Sequence, residues 1–82
     1  MFNGLVLLGG YHMNRGTIKW FNYDKGYGFI TPDVRTSEKD VFVHITALQR
    51  ANIDKLEEGQ RVVYETYMDR GRTAADILEV LK

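Results

Sequence analysis

KGYGFI, residues Lys25–Ile30, alternates glycine with flat side chains, and ten residues on DVFVHI, Asp40–Ile45, does the same with valine. In an extended strand, residues i and i+2 share a face. Tyr27 and Phe29 therefore point one way, with Gly28 and Ile30 the other. Phe42 and His44 likewise stand opposite Val41 and Val43. Ile18, Ile30, Val41 and Val43 form a natural aliphatic core, which leaves Tyr27, Phe29, Phe42 and His44 on the outer face. If the two strands are neighbours, these four flat groups make one platform.

Beyond these two stretches the periods remain short. GTIKWFNY is rich in β-branched and aromatic residues and reads as the first strand. NYDKG is a turn. YGFIT is the second strand, stopped by Pro32, and PDVRTSEKD is a polar loop. VFVHI is the third strand. The connection TALQRANIDKLEEG allows a helical turn at Thr46–Gln49. QRVVYETY is the fourth strand, with Val62, Tyr64 and Thr66 on one face and Val63, Glu65 and Tyr67 on the other. MDRGR is a turn. TAADILEVL has helical composition, but Ala75, Ile77, Glu79 and Leu81 also alternate, and four strands need a fifth to close. The expectation is an all-β fold, a small five-stranded antiparallel barrel.

Composition narrows the function. Eighty-two residues make one small domain, which buries roughly 60% of its unfolded surface. The absence of Cys removes disulfides and thiolate metal sites, and fits a reducing, cytoplasmic setting. Lys plus Arg and Asp plus Glu balance at 11 each. A protein that grips duplex DNA through phosphates alone is usually basic, so binding must lean on something besides net charge. Five of the ten aromatic residues (Trp20, Phe21, Tyr23, Tyr27, Phe29) fall in one ten-residue window. A solvent-facing aromatic patch is costly unless something covers it, and every base has a π-face that stacks on such rings. Lys19 and Lys25 lie close by to neutralise phosphates, and Trp20 extends the platform from the first strand, although a lone Trp also suits a core anchor.

Three of these stretches, GTIKWFN, KGYGFI and DVFVHI, resemble the first strand and the two ribonucleoprotein-type motifs of the bacterial cold-shock proteins. They stand in the family's order and spacing, followed by LEEGQRV and RGRTAADI, and the resemblance runs from about Arg15 to Val80. It implies an OB-type barrel that binds single-stranded RNA and DNA and acts as an ATP-independent nucleic-acid chaperone, with a monomer as the expected state and neither cofactor, metal nor membrane required. By matching positions it places nucleic-acid contacts on Lys19, Trp20, Lys25, Tyr27, Phe29, Phe42 and His44. Phe21, Asn22, Tyr23, Arg70 and Arg72 are weaker candidates at the edges. The chain also departs from the family. Ile45 and Ile53 stand where platform Phe residues are frequent, which implies lower affinity or a shorter site. Tyr23 replaces a small or polar residue and offers partial compensation. GRTAAD stands for the usual GPQAAN, so that Arg72 adds a charge beside the binding face.

Competing readings are weaker or of another class. A hydrolase triad of Ser37, Asp40 and His44 fails on distance, because Asp40 and His44 at the two ends of a strand lie roughly 13 Å apart. KGYG lacks the spacing of a phosphate loop. His44 has only His12 as a fellow histidine, so a metal site is not expected. Two other roles fit the same face: a transcription or translation regulator that holds an exposed strand, and a protein-interaction barrel.

The first twelve residues, MFNGLVLLGGYH, read separately. Their apolar run is too short to span a membrane, and no Lys or Arg precedes it as in a signal peptide. Residues 1–12 are expected to be either a flexible extension or the product of a start set too early, with the cold-shock domain occupying 13–82 and Met13 as its first residue. Gly9-Gly10 can be encoded by a purine-rich run of the ribosome-binding kind.

Overall fold

A computed structural model of the chain describes residues 13–34 and 40–81. The N-terminal extension, Ser37 and the triad that would include it lie outside the described residues. The elements run β1 (Asn14–Asn22), β2 (Tyr27–Pro32), β3 (Val41–His44), α1 (Ile45–Arg50), β4 (Arg61–Asp69) and β5 (Arg72–Leu81). The ambiguous last segment is thus a strand, and the helical turn after β3 is a six-residue helix. His44 caps that helix: its Nδ1 accepts the Thr46 backbone N–H at 3.2 Å. Among the described residues no helix is long and apolar enough to cross a membrane.

The five strands close into a barrel in the order β1-β2-β3-β5-β4. Four of the five neighbouring pairs are antiparallel, as expected, but β3 and β5 run parallel. Parity requires this departure. Directions that alternate around a closed ring need an even number of strands, so a ring of five must contain at least one parallel seam. Here the seam carries a single register pair, Phe42 with Ala74.

The barrel is filled by Ile18, Ile30, Val41, Val43, Leu48, Leu56, Val62, Tyr64, Ala75 and Ile77, all buried. The four aliphatic positions assigned to the core by alternation are among them. Burial pushes the Tyr64 phenol above its ordinary pKa, and the Asp33 carboxylate adds to the effect. Arg61 ties one end of the barrel together, with two bonds to the Asp33 carboxylate at 2.6 and 2.7 Å and one to Thr17 Oγ1 at 3.1 Å.

Two irregularities decide which side chains face out. In β1 the register slips between Ile18, opposite Ile30, and Trp20, opposite Phe29. Strict alternation from the buried Ile18 would turn Trp20 into the core. The extra residue at Lys19 is a β-bulge that turns Trp20 outward and Phe21 inward. In β5, Val63 pairs with Glu79 and Tyr64 with Ile77, which leaves Leu78 as the extra residue. The expected face of Ala75, Ile77, Glu79 and Leu81 therefore breaks at Leu78. Glu79 is exposed, and Val80 packs against the core in its place.

Candidate nucleic-acid interface

The outer wall over β1, β2 and β3 carries a continuous ring cluster. Tyr27 stands opposite His44, and Phe29 opposite Phe42, in the β2–β3 register. Phe29 sits at the centre: its ring centroid lies 5.3 Å from Trp20, 6.1 Å from Tyr27 and 5.9 Å from Phe42, each approach edge-on. Trp20 also meets Tyr27 at 5.7 Å, Tyr27 stacks on Phe42 at 5.7 Å, and His44 lies 6.3 Å from Phe42. Edge-to-face contacts of this kind hold rings at fixed angles and leave faces pointing away from the barrel. Trp20, 37% exposed, and the half-buried Tyr27 and Phe29 are open to a ligand.

Gly28 explains how β1 and β2 come close enough to build this wall. It faces inward beneath the bulged strand, opposite Phe21. A Cβ there would lie 2.3 Å from the Trp20 carbonyl oxygen and 2.8 Å from the Phe21 Cα, inside any allowed contact.

Phe42 is on the expected face but is not open. Its ring is only 6% exposed, because the Arg72 guanidinium lies over it, 3.6 Å from the centroid. The sequence placed Arg72 only beside the face, whereas here it is a layer of it. The guanidinium plane, stacked on the ring, itself offers a flat cationic surface on which a base can lie. Asp69, 3.8 Å from Arg72, loosely pairs with it.

His44 is exposed at the far edge. Its Nδ1 accepts the Thr46 N–H, so the neutral ring carries its proton on Nε2, which faces away from the cap as a donor.

The cations differ in their availability. Lys19, projecting from the bulge, is held 2.7 Å from Asp40 in an exposed ion pair. Lys25 is exposed in the turn between β1 and β2. That turn is shaped by Asn22, whose Oδ1 accepts the Lys25 N–H at 2.9 Å and whose backbone oxygen accepts the Gly26 N–H at 2.8 Å. Asn22 thus shapes the turn read from NYDKG. Arg70 and Gly71 form the two-residue turn between β4 and β5, both at positive φ (55° and 82°), the pattern of a type I′ hairpin.

Two of the weaker candidates are grouped elsewhere. The bulge turns Phe21 inward against the core, and Tyr23 packs on it with centroids 4.7 Å apart. The Tyr23 hydroxyl donates to the Leu56 carbonyl at 3.1 Å and accepts the Leu56 N–H, anchoring the connection before β4. Tyr23 stays 38% exposed beside this anchor. Ile53 also packs against the core.

Two side chains near the seam were not singled out in the sequence. Tyr67 is 38% exposed on the outer face of β4, and Arg50 at the end of α1 bonds Asp76. The Asp76 carboxylate chiefly, with the nearby Tyr67 adding to it, raises the Arg50 pKa. Among the described residues, no group of three or more His, Asp or Glu side chains is placed to hold a metal ion.

The model of the 'Cold-shock' DNA-binding domain matches residues 14–80, nearly the whole chain. The chain belongs to the cold-shock domain family. It is 49% identical over 69 residues to the probable cold shock protein y4cH of Sinorhizobium fredii, covering 82% of this chain and 97% of that one. It is 50% identical over 68 residues to cold shock protein CspA of Rhizobium meliloti, covering 80% and 96%. It is 46% identical over 69 residues to cold shock protein CspB of Geobacillus stearothermophilus, covering 83% and 100%. As a cold-shock domain it is a nucleic-acid-binding module.

Proposed function

We propose that this cold-shock domain binds single strands of RNA and DNA by stacking unpaired bases on Trp20, Tyr27, Phe29 and the Arg72 guanidinium over Phe42. His44 donates from the edge, and Lys19 and Lys25 meet phosphates. The observation that carries this reading is the cluster centred on Phe29, an outward aromatic surface on a chain of zero net charge. Rings on a neutral protein select exposed base faces, which a duplex hides.

Chaperone activity then needs no ATP. Single strands captured on the barrel are withdrawn from pairing, so folded RNA loses population by mass action. The protein performs no bond chemistry on its ligand and works as a monomer in the cytoplasm, with residues 13–82 as the binding unit.

Titration with matched single- and double-stranded oligonucleotides, read by Trp20 fluorescence, tests this. Strong quenching and much tighter binding of the single strand are expected. Equal affinity for both at moderate salt overturns the reading.

A further inference from the structure

The register continues past the rings already described. Trp20 faces Phe29, Phe29 faces Phe42, Phe42 faces Ala74 across the parallel seam, and Ala74 faces Tyr67. Directly opposed residues share a face of a sheet, so these five lie in one row around the outside of the barrel. Ala74 is fully buried although it is not part of the core cluster, so its larger neighbours form the surface at this point. Tyr67 is exposed, and Arg50, anchored by Asp76, lies beside it. Two strand spacings separate Tyr67 from Phe42, roughly 10 Å, a gap that one or two nucleotides of an extended strand can cross.

We infer that Tyr67 is a further base-stacking subsite, which carries the bound single strand across the β3–β5 seam onto β4. The inference rests on the proposed function. Charge distinguishes it from a phosphate site. Glu65 and Asp69 share the outer face of β4 with Tyr67, Asp76 stands opposite Glu65, and Arg50 is already paired. Asp76 and Asp69 are paired with Arg50 and Arg72, so the surround holds no net positive charge to draw phosphates, and the occupant of this subsite is a base held by its π-face.

The test compares two oligothymidylates, one of about four nucleotides that covers the central rings and one of about eight that reaches the seam. Wild type gains affinity with length. Tyr67→Leu, a side chain of similar bulk without a π-face, binds the short oligonucleotide as wild type does. It loses about fivefold or more on the long one, the low end for a single stacked base. Tyr67→Phe keeps the gain. The Tyr67-dependent gain is also unchanged when salt is raised, since no counterions are released. A Tyr67→Leu variant with the full gain from length overturns the inference, and so does a gain that disappears with salt. Phe29→Ala on the short oligonucleotide is the control for the underlying reading. If it binds undiminished, the platform itself fails, whereas a weakened Phe29→Ala beside an unaffected Tyr67→Leu removes the subsite alone.

Discussion

Replacing Phe29 by Ala separates the aromatic wall from the core more sharply than any other single change. Phe29 touches three rings, Trp20, Tyr27 and Phe42, and faces outward from β2. Its loss removes the surface for one stacked base, about 1–3 kcal/mol, or about 5- to 150-fold in affinity. It also removes three edge-on contacts from a half-buried site, which lowers stability by roughly 1–3 kcal/mol, less than for a fully buried Phe. Val43, on the adjacent strand, is the opposite case. It is fully buried between the layers of the core, and truncation to Ala costs about 2–3 kcal/mol in lost transfer energy and cavity. In a domain of this size that lowers Tm by roughly 8–24 °C. Affinity of the remaining folded Val43→Ala protein stays near wild type. Circular dichroism under the binding conditions measures the folded fraction, and fluorescence titration with oligothymidylate measures the affinity. A Phe29→Ala protein that unfolds without losing affinity when folded, beside a stable Val43→Ala protein that binds weakly, refutes the assignment of faces.

Gly28→Ala places a methyl group against the Trp20 carbonyl and the Phe21 backbone, neither of which can move without undoing the β1–β2 pairing. Thermal melts are expected to show a loss larger than that of Val43→Ala, and a wild-type melt contradicts the packing account. Asp40→Asn releases Lys19 from its ion pair, so single-strand affinity rises about two- to fivefold at low salt and converges on wild type at high salt. The wild-type slope of log K against log salt is shallow, about −1.5 to −3, because few cations are engaged. A slope near −8 means that phosphates dominate. Asp33 has its carboxyl held below the ordinary aspartate range, first by its bonds to Arg61. A depressed folded pKa contributes stability above the unfolded value that is lost as pH falls through the folded one. Asp33→Asn therefore melts below wild type at neutral pH, and the two converge in acid, below the ordinary aspartate range. A difference that persists there refutes the ion pair as its source.

The legible and illegible parts of this site divide at the bulges. β2 and β3 pair without irregularity, so period-2 alternation placed Tyr27, Phe29, Phe42 and His44 on one face and Ile30, Val41 and Val43 on the other. Trp20 and Phe21 depend on the extra residue at Lys19, and nothing local in the side chains of GTIKWFN marks it. The same holds at Leu78, where a strict alternation fails one turn of the pleat before the strand ends. Long-range pairs were equally silent: Lys19 with Asp40, Tyr23 with Leu56 and Arg72 over Phe42 become neighbours only when the barrel closes. The parallel seam departs from the expected antiparallel barrel: five strands in a ring require one such pair, but only the structure places it between β3 and β5. Tyr67 could be placed on the outer side of β4 from its spacing to Glu65, but its alignment with the rings needed the pairing across that seam.

That seam has a consequence for the solution behaviour of the chain. A closed barrel has no edge strands, and so offers no unpaired ladder to another molecule. Here closure between β3 and β5 rests on one register pair, while β4 and β5 share a ladder along nearly their whole length. The seam is the place where the ring separates at least cost, and its separation turns β3 and β5 into two free edges at once. Chains in that state can pair edge to edge and self-associate. A ligand stacked on both sides of the seam holds the edges together, so saturation with single-stranded nucleic acid suppresses aggregation on heating by more than its effect on Tm alone.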